Sequence, residues 1–290
     1  MREPAILTTA SENAAVSHGP TRAGHIEAGG ARYYYEINGL GEPLLLLHGG
    51  LGSMAMFQPL LPSLAAKRKV IAIDLLGHGR TALGERSIGT EAIGDDLAVI
   101  LDALGFGAVD ALGYSFGGQV AFQLAVRHPE RVRHLAIVSA GFTQDGFYPE
   151  MIEMQARMGG HMLEFMRDTP MYRSYMAVAP IPKDFPRLLD AMGDWLRRPF
   201  DFSAEASKLT MPVMLVYGDS DMFRLTHIVD FYRLLGGGLR DAGWQKEHMS
   251  QNRLAILPGL THYNIFLAPQ LVQTVLPFLS GESETASWGG

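Results

Sequence analysis

Six short, unbroken apolar runs recur along the chain, and each closes on a residue that turns the backbone. Leu44-Leu45-Leu46-Leu47 runs into His48-Gly49-Gly50, Val70-Ile71-Ala72-Ile73 into Asp74, and Val109 to Leu112 into Gly113. Leu135-Ala136-Ile137-Val138 stops at Ser139, Pro212 to Tyr217 at Gly218, and Leu254-Ala255-Ile256-Leu257 at Pro258. Runs of this length without polar alternation are what strands buried on both faces look like. Between most of them the apolar spacing changes to the helical period, over Glu91 to Leu104, Phe116 to His128 and Thr226 to Leu235. Alternating strand and helix predicts an α/β fold, a mostly parallel, doubly wound sheet. Tyr33-Tyr34-Tyr35-Glu36-Ile37, ahead of the first run, predicts an antiparallel hairpin at the edge.

One interval breaks the rhythm. From Phe142 to Lys208 there is helical pattern interrupted by prolines and no strand-like run. Met151, Met154, Met158, Met162 and Met166 fall at three- and four-residue steps, which predicts one methionine-rich face on a helix or helix pair. Such a face packs as ordinary core, or forms the underside of a lid over an apolar pocket, for which methionine is well suited. The expected organisation is a leader over 1–24, a core over 25–141 and 209–280, a helical lid over 142–208 and a tail over 281–290.

Composition narrows the chemistry. Of 290 residues 47% are apolar and 19% charged, an ordinary globular balance. There is no cysteine, which excludes disulfides, thiolate nucleophiles and cysteine-ligated metal. With 24 basic and 30 acidic side chains the net charge is −6, and the basic footprint of a nucleic-acid binder is missing. No stretch reaches the roughly 18 apolar residues of a membrane span. Ala5-Ile6-Leu7 is shorter than the roughly 7–15 apolar residues of a secretory signal, so the chain reads as cytoplasmic. Histidines at H-x-x-x-H or H-E-x-x-H spacing are absent, so neither a metal nor another cofactor is expected.

The sharpest motif is Gly113-Tyr114-Ser115-Phe116-Gly117-Gly118, set between a strand-like run and a helical segment. A turn this tight leaves no room for Cβ atoms two residues either side of the serine, and glycine meets that demand at 113 and 117. It holds a serine hydroxyl out at the carboxyl end of the sheet. A serine is a weak nucleophile without a base beside it and an acid orienting that base. His262, in Pro258-Gly259-Leu260-Thr261-His262, follows the last run and so emerges at the same edge. Asp219 and Asp221 both follow the Pro212 run; Asp219 suits a turn-capping role better, which leaves Asp221 as the acid. An oxyanion needs backbone donors. The Phe116 amide is free at the start of its helix, and the loop His48-Gly49-Gly50-Leu51-Gly52-Ser53 can supply a second. The loop Asp74 to Arg80 lies at the same edge, with charged groups suited to bracing loops.

Taken in order, these motifs resemble the α/β-hydrolase superfamily from about Tyr33 to Leu279. The resemblance implies Ser115 as nucleophile, His262 as general base and then acid, Asp221 as the orienting carboxylate, and Phe116 with Gly50 or Leu51 as the oxyanion hole. It implies that the block over 142–208 is that fold's helical lid. Ser115 stands where the haloalkane dehalogenase and epoxide hydrolase branches carry aspartate, and Gly50 where perhydrolases carry a bulky aromatic. The glycine loop also resembles that of proline iminopeptidases, with Leu51 in place of their proline. The function expected is a serine esterase or lactonase acting on a small, largely apolar substrate through an acyl-enzyme. Tyr114, Phe147, Tyr148, Met151, Met154 and Trp195 are the expected substrate-binding side chains. The same three residues acting on a C–C bond or an amide, and a small-molecule binding protein without turnover, are the alternatives.

Overall fold

The computed structural model describes residues 20–281. The stretches 1–19 and 282–290, which hold most of the expected leader and tail, lie outside the described residues. Eight strands form one sheet: β1 (Arg22–Ala28), β2 (Ala31–Asn38), β3 (Pro43–Leu47), β4 (Lys69–Asp74), β5 (Val109–Tyr114), β6 (Val132–Val138), β7 (Val213–Ser220) and β8 (Arg253–Thr261). Their order across the sheet is β1-β2-β4-β3-β5-β6-β7-β8. The pairs β1–β2 and β2–β4 are antiparallel, and every pair from β4 onward is parallel. The six apolar runs are β3 to β8, and the Tyr33 to Ile37 run lies in the hairpin at the edge.

Both faces of the sheet are covered, which is why its central strands carry no polar alternation. Leu45 and Leu47 of β3 face a core built with α2 (Thr90–Leu104), α3 (Phe116–Arg127) and α9 (Leu225–Leu234). Leu44 and Leu46 face a second core with α1 (Leu61–Ala65) and α10 (Pro269–Leu279). Between β6 and β7 lie α4 (Pro149–Ala156), α5 (Leu163–Met166), α6 (Pro170–Val178), α7 (Phe185–Leu196) and α8 (Ser203–Ala206). Among these α7 is the most clearly two-faced, with Phe185, Leu188, Leu189 and Met192 buried.

Three expectations need correction. First, β1 begins at Arg22, inside the expected leader; its alternation is carried by Ile26 alone among large apolar residues, too weak a signal to read. Second, β8 runs through Pro258 to Thr261. It is an edge strand paired with β7 alone, and an edge tolerates a proline that an inner strand does not. Third, the methionine steps do not form one face. Within α4 Met151 packs on the core while Met154 is 45% exposed, and Gly159 and Gly160 interrupt the helical path before Met162 and Met166, which pack on the core again.

Candidate active site

The turn from β5 into α3 is as tight as its glycines require. A Cβ on Gly113 would fall 2.2 Å from the Gly117 carbonyl oxygen, and one on Gly117 would fall 2.5 Å from the backbone oxygens of Leu47 and His48. Ser115 takes φ 53° and ψ −117°, a conformation that L-residues avoid and that marks over-determined sites. Its N–H donates to the Val138 carbonyl at 2.8 Å, which ties the turn to the end of β6.

At the same edge, β8 ends at Thr261 and releases His262, while β7 ends at Ser220 and releases Asp221. His262 Nε2 lies 3.1 Å from Ser115 Oγ, and His262 Nδ1 lies 3.1 Å from Asp221 Oδ1. Both the imidazole and the carboxylate are buried. The Asp221 carboxylate also accepts from the Met222 amide at 2.8 Å and from Ser139 Oγ at 2.5 Å. A donor to each oxygen fixes the carboxylate, and an Nδ1–H donated to it leaves the Nε2 lone pair facing the serine. Asp219 is exposed and accepts instead from the Gly259 amide at 3.1 Å, so it secures the loop before His262.

The glycine loop after β3 lies against this turn. A Cβ on Gly49 would stand 3.5 Å from Ser115 Cβ, and one on Gly50 3.7 Å from Phe116 Cβ. Leu51 takes a left-handed backbone at φ 58°. Phe116 opens α3, so its N–H has no carbonyl one turn earlier within the helix to donate to. The glycine loop after β3 and the first residue of α3 are therefore direct neighbours beside Ser115.

Two buried histidines and an aspartate hold these loops together. His48 Nδ1 donates to the Gly49 carbonyl at 2.8 Å, leaving Nε2 to accept from the Leu75 amide at 2.9 Å. Burial pushes His48 down to about 4 and His78 to about 3, so both are neutral imidazoles. Asp74 accepts the amides of Met54 and Arg80 at 2.8 Å each and pairs with Arg80 at 3.7 Å. Its carboxyl lies above the usual range because burial outweighs those donors.

Of the six expected substrate-binding residues, two line a cavity. Phe147 and Trp195 face a space of about 150 Å³ shared with Gln119, Gln155, Arg198, Phe200 and Phe202. Gln119 is four residues beyond Ser115, and Trp195 stands edge-on to Phe116 with ring centres 4.8 Å apart. Tyr114 lies beneath the site instead. Its ring fills the space beside Gly49, and its hydroxyl donates to the His262 carbonyl at 2.6 Å. Met154 and Tyr148 are 45% and 37% exposed, and Met151 packs on the edge of the core. The residues missed are Ser139, whose partner lies 82 positions away, and Gln119, a buried polar residue inside an apolar helix. The second left a trace in the sequence, as a glutamine one turn past the serine; the first left only a strand-ending residue.

Residues 42–158 match the family model described as the α/β hydrolase fold. Over 132 residues the chain is 39% identical to a 2-hydroxymuconate semialdehyde hydrolase from Pseudomonas sp. strain CF600, covering 44% of this chain and 47% of that one. The chain thus spans about half the length of this and two further curated relatives that it matches. It is 28% identical to a pimeloyl-[acyl-carrier protein] methyl ester esterase from Neisseria meningitidis over 78% of this chain and 90% of that one. The fold matches that of an enol-lactonase from Burkholderia xenovorans LB400 with a TM-score of 0.66 at 20% identity, covering 89% of this chain and all of that one. The eight-stranded architecture and the match over residues 42–158 together show that this chain has the α/β-hydrolase fold. Among the described residues, no helix is long and apolar enough to cross a membrane, and no group of three or more His, Asp or Glu could hold a metal ion.

Proposed function

We propose that this protein is a serine hydrolase that cleaves a carboxylic ester or lactone of a small, largely apolar substrate. The observation that carries the reading is the continuous contact Ser115 Oγ to His262 Nε2, and His262 Nδ1 to Asp221 Oδ1, anchored on a strained turn. Ser115 Oγ attacks the carbonyl carbon as His262 Nε2 takes its proton. The positive charge on the imidazolium is balanced by Asp221. The carbonyl oxygen, now an anion, receives the Phe116 N–H and one from Gly50 or Leu51, each donor worth about 3 kcal/mol in the barrier. His262 then returns the proton to the departing alkoxide, and the alcohol leaves. Water, deprotonated by the same nitrogen, attacks the acyl-serine and releases the acid.

The aromatic cavity supports the substrate class. Its walls of Phe147, Trp195, Phe200 and Phe202 suit a ring or a short chain, and Thr90, Glu91, Gln119, Gln155 and Arg198 can meet polar groups on it. The helices of 142–208 would serve as the lid that covers it. Relatives named as a methyl ester esterase and an enol-lactonase agree with ester and lactone chemistry. The same three residues acting on a C–C bond or an amide are the second reading, since the relatives also include one named as a 2-hydroxymuconate semialdehyde hydrolase, not as an esterase.

The test is intact mass after exposure to a fluorophosphonate, run beside Ser115→Ala, followed by a matched panel of 4-nitrophenyl esters, lactones, amides and diketones. One adduct on the native chain, absent from the variant, with ester or lactone turnover, is the expected result. A folded native chain that takes no adduct would overturn the reading. An adduct with turnover of diketones alone would shift it to C–C cleavage.

A further inference from the structure

Four residues other than glycine hold a left-handed backbone among the described residues: Leu51, Ser115, Ser139 and Lys246. Such a conformation is costly for a residue with a Cβ and persists where the surroundings over-determine it, most often at a functional site. Leu51 lies in the glycine loop and Ser115 at the β5–α3 turn, both already placed at the site. Of the remaining two, Lys246 is partly exposed in the loop before β8, and Ser139, at φ 50°, adjoins the site without an assigned role. It follows the last residue of β6 and is fully buried. Glycine would accept this backbone freely, so what the strained position retains is the hydroxyl.

That hydroxyl has one conspicuous partner. Ser139 N–H donates to the Val216 carbonyl at 2.9 Å, which fixes the residue against β7. Ser139 Oγ then donates to Asp221 Oδ2 at 2.5 Å. The other donor to this oxygen is the Gly218 amide, at a weak 3.4 Å. Oδ1 takes His262 Nδ1 and the Met222 amide. A carboxylate is free to turn about its Cβ–Cγ bond unless both oxygens are held. With Oδ2 anchored by Ser139, Oδ1 is kept facing the imidazole.

We propose that Ser139 is a positioning residue that acts through Asp221, fixing the carboxylate in the rotamer that orients His262 toward Ser115. This rests on the serine hydrolase reading above. It also accounts for why β6, which supplies no catalytic side chain, is followed by a strained serine rather than a glycine.

The experiment compares wild type, Ser139→Gly and Ser139→Ala. The readouts are 4-nitrophenyl butyrate turnover, the rate of fluorophosphonate labelling at Ser115, and thermal unfolding. Both substitutions remove the hydroxyl, whereas Ser139→Gly alone also relieves the backbone. The two variants are expected to lose kcat alike, by about tenfold, the worth of one hydrogen bond in the barrier. KM should not change, labelling should slow in step, and Ser139→Gly should unfold at a higher temperature than Ser139→Ala. In an Asp221→Ala background, adding Ser139→Gly should slow labelling no further.

Wild-type kcat in Ser139→Gly would overturn the proposal and leave Ser139 a purely structural residue. A full additional loss in the Asp221→Ala background would overturn it too, because the hydroxyl would then act elsewhere. A folded wild type that neither labels nor turns over ester would overturn the hydrolase reading and this proposal together. An active wild type with an unaffected Ser139→Gly sinks the positioning role alone.

Discussion

Gly117 cannot carry even a methyl group. Its missing Cβ would stand 2.5 Å from two backbone oxygens, those of Leu47 and His48, and backbone cannot swing aside as a long side chain can. Gly117→Ala should therefore push β3 and α3 apart, cost about 3 kcal/mol and slow fluorophosphonate labelling of Ser115. Urea denaturation checks the first part, and a midpoint equal to wild type would refute it. Tyr114→Phe is a gentler probe at the same turn. It leaves the His262 carbonyl without its 2.6 Å donor inside the protein, a loss of about 1–3 kcal/mol. With its loop less well held, His262 should activate Ser115 more slowly, so labelling falls in rate but not in final extent. At this scale the sequence was legible where chemistry demanded an unusual neighbour. The paired glycines pointed to Ser115, and position after a strand pointed to His262 and Asp221. Tyr114, expected among the substrate-binding side chains, adjoins the serine in sequence but does not line the cavity. Side chains alternate across a strand, and as the last residue of β5 its ring is buried beneath the site. Ser139 was invisible because its meaning lies in a contact 82 positions away.

Among the elements, α7 links the inserted helices to the loops around Ser115. Met192 Cε lies 2.9 Å from where a Gly50 Cβ would stand, and Leu188 Cδ1 lies 3.1 Å from the corresponding point on Gly77. One helix face thus touches both the glycine loop after β3 and the loop after β4. Leu188 is fully buried, so Leu188→Ala should leave a cavity and cost about 2–5 kcal/mol. If α7 is the lid's anchor, the variant should also raise KM for bulky esters more than for acetates, because the cavity wall around Trp195 belongs to the same helix. Equal KM changes across the ester series would separate α7's packing from substrate binding. The strands were readable because each is a short apolar run with a sharp end. Inside the inserted block, where methionine spacing promised one continuous face, Gly159 and Gly160 turned the chain. Period alone carries no information about such a break when the residues after it resume the same step.

For the whole molecule, the telling feature is a set of neutral histidines sealed inside a mildly acidic protein. His48 and His78 are completely buried under the loops at the site, and His227 is buried between Phe142 and Phe223, stacked on Phe142 with ring centres 4.4 Å apart. Burial pushes His48 and His227 down to about 4 and His78 to about 3. In the unfolded chain each returns to about 6.5. Between those values the unfolded state binds protons that the folded state refuses, so stability rises with pH across the window. The contribution is therefore complete above about 6.5 and is lost as pH falls toward 4, each histidine adding up to about 1.4 kcal/mol per pH unit. Asp74 opposes this, since its raised carboxyl takes up a proton more readily folded than unfolded, but it is one group against three. Asp95, held low by Arg127, adds to the loss at still lower pH. Urea midpoints taken at pH 7, 5.5 and 4.5 should accordingly fall steeply, before most carboxylates titrate. His227→Phe keeps an aromatic ring between Phe142 and Phe223 and removes one of the three protons, so it should flatten the curve by up to about 1.4 kcal/mol per pH unit. A wild-type midpoint constant from pH 7 to 4.5 would mean that these imidazoles are reached by water and protonated in the folded state. His48 could not then accept the Leu75 amide, and the loop contacts that surround Ser115 would need another explanation.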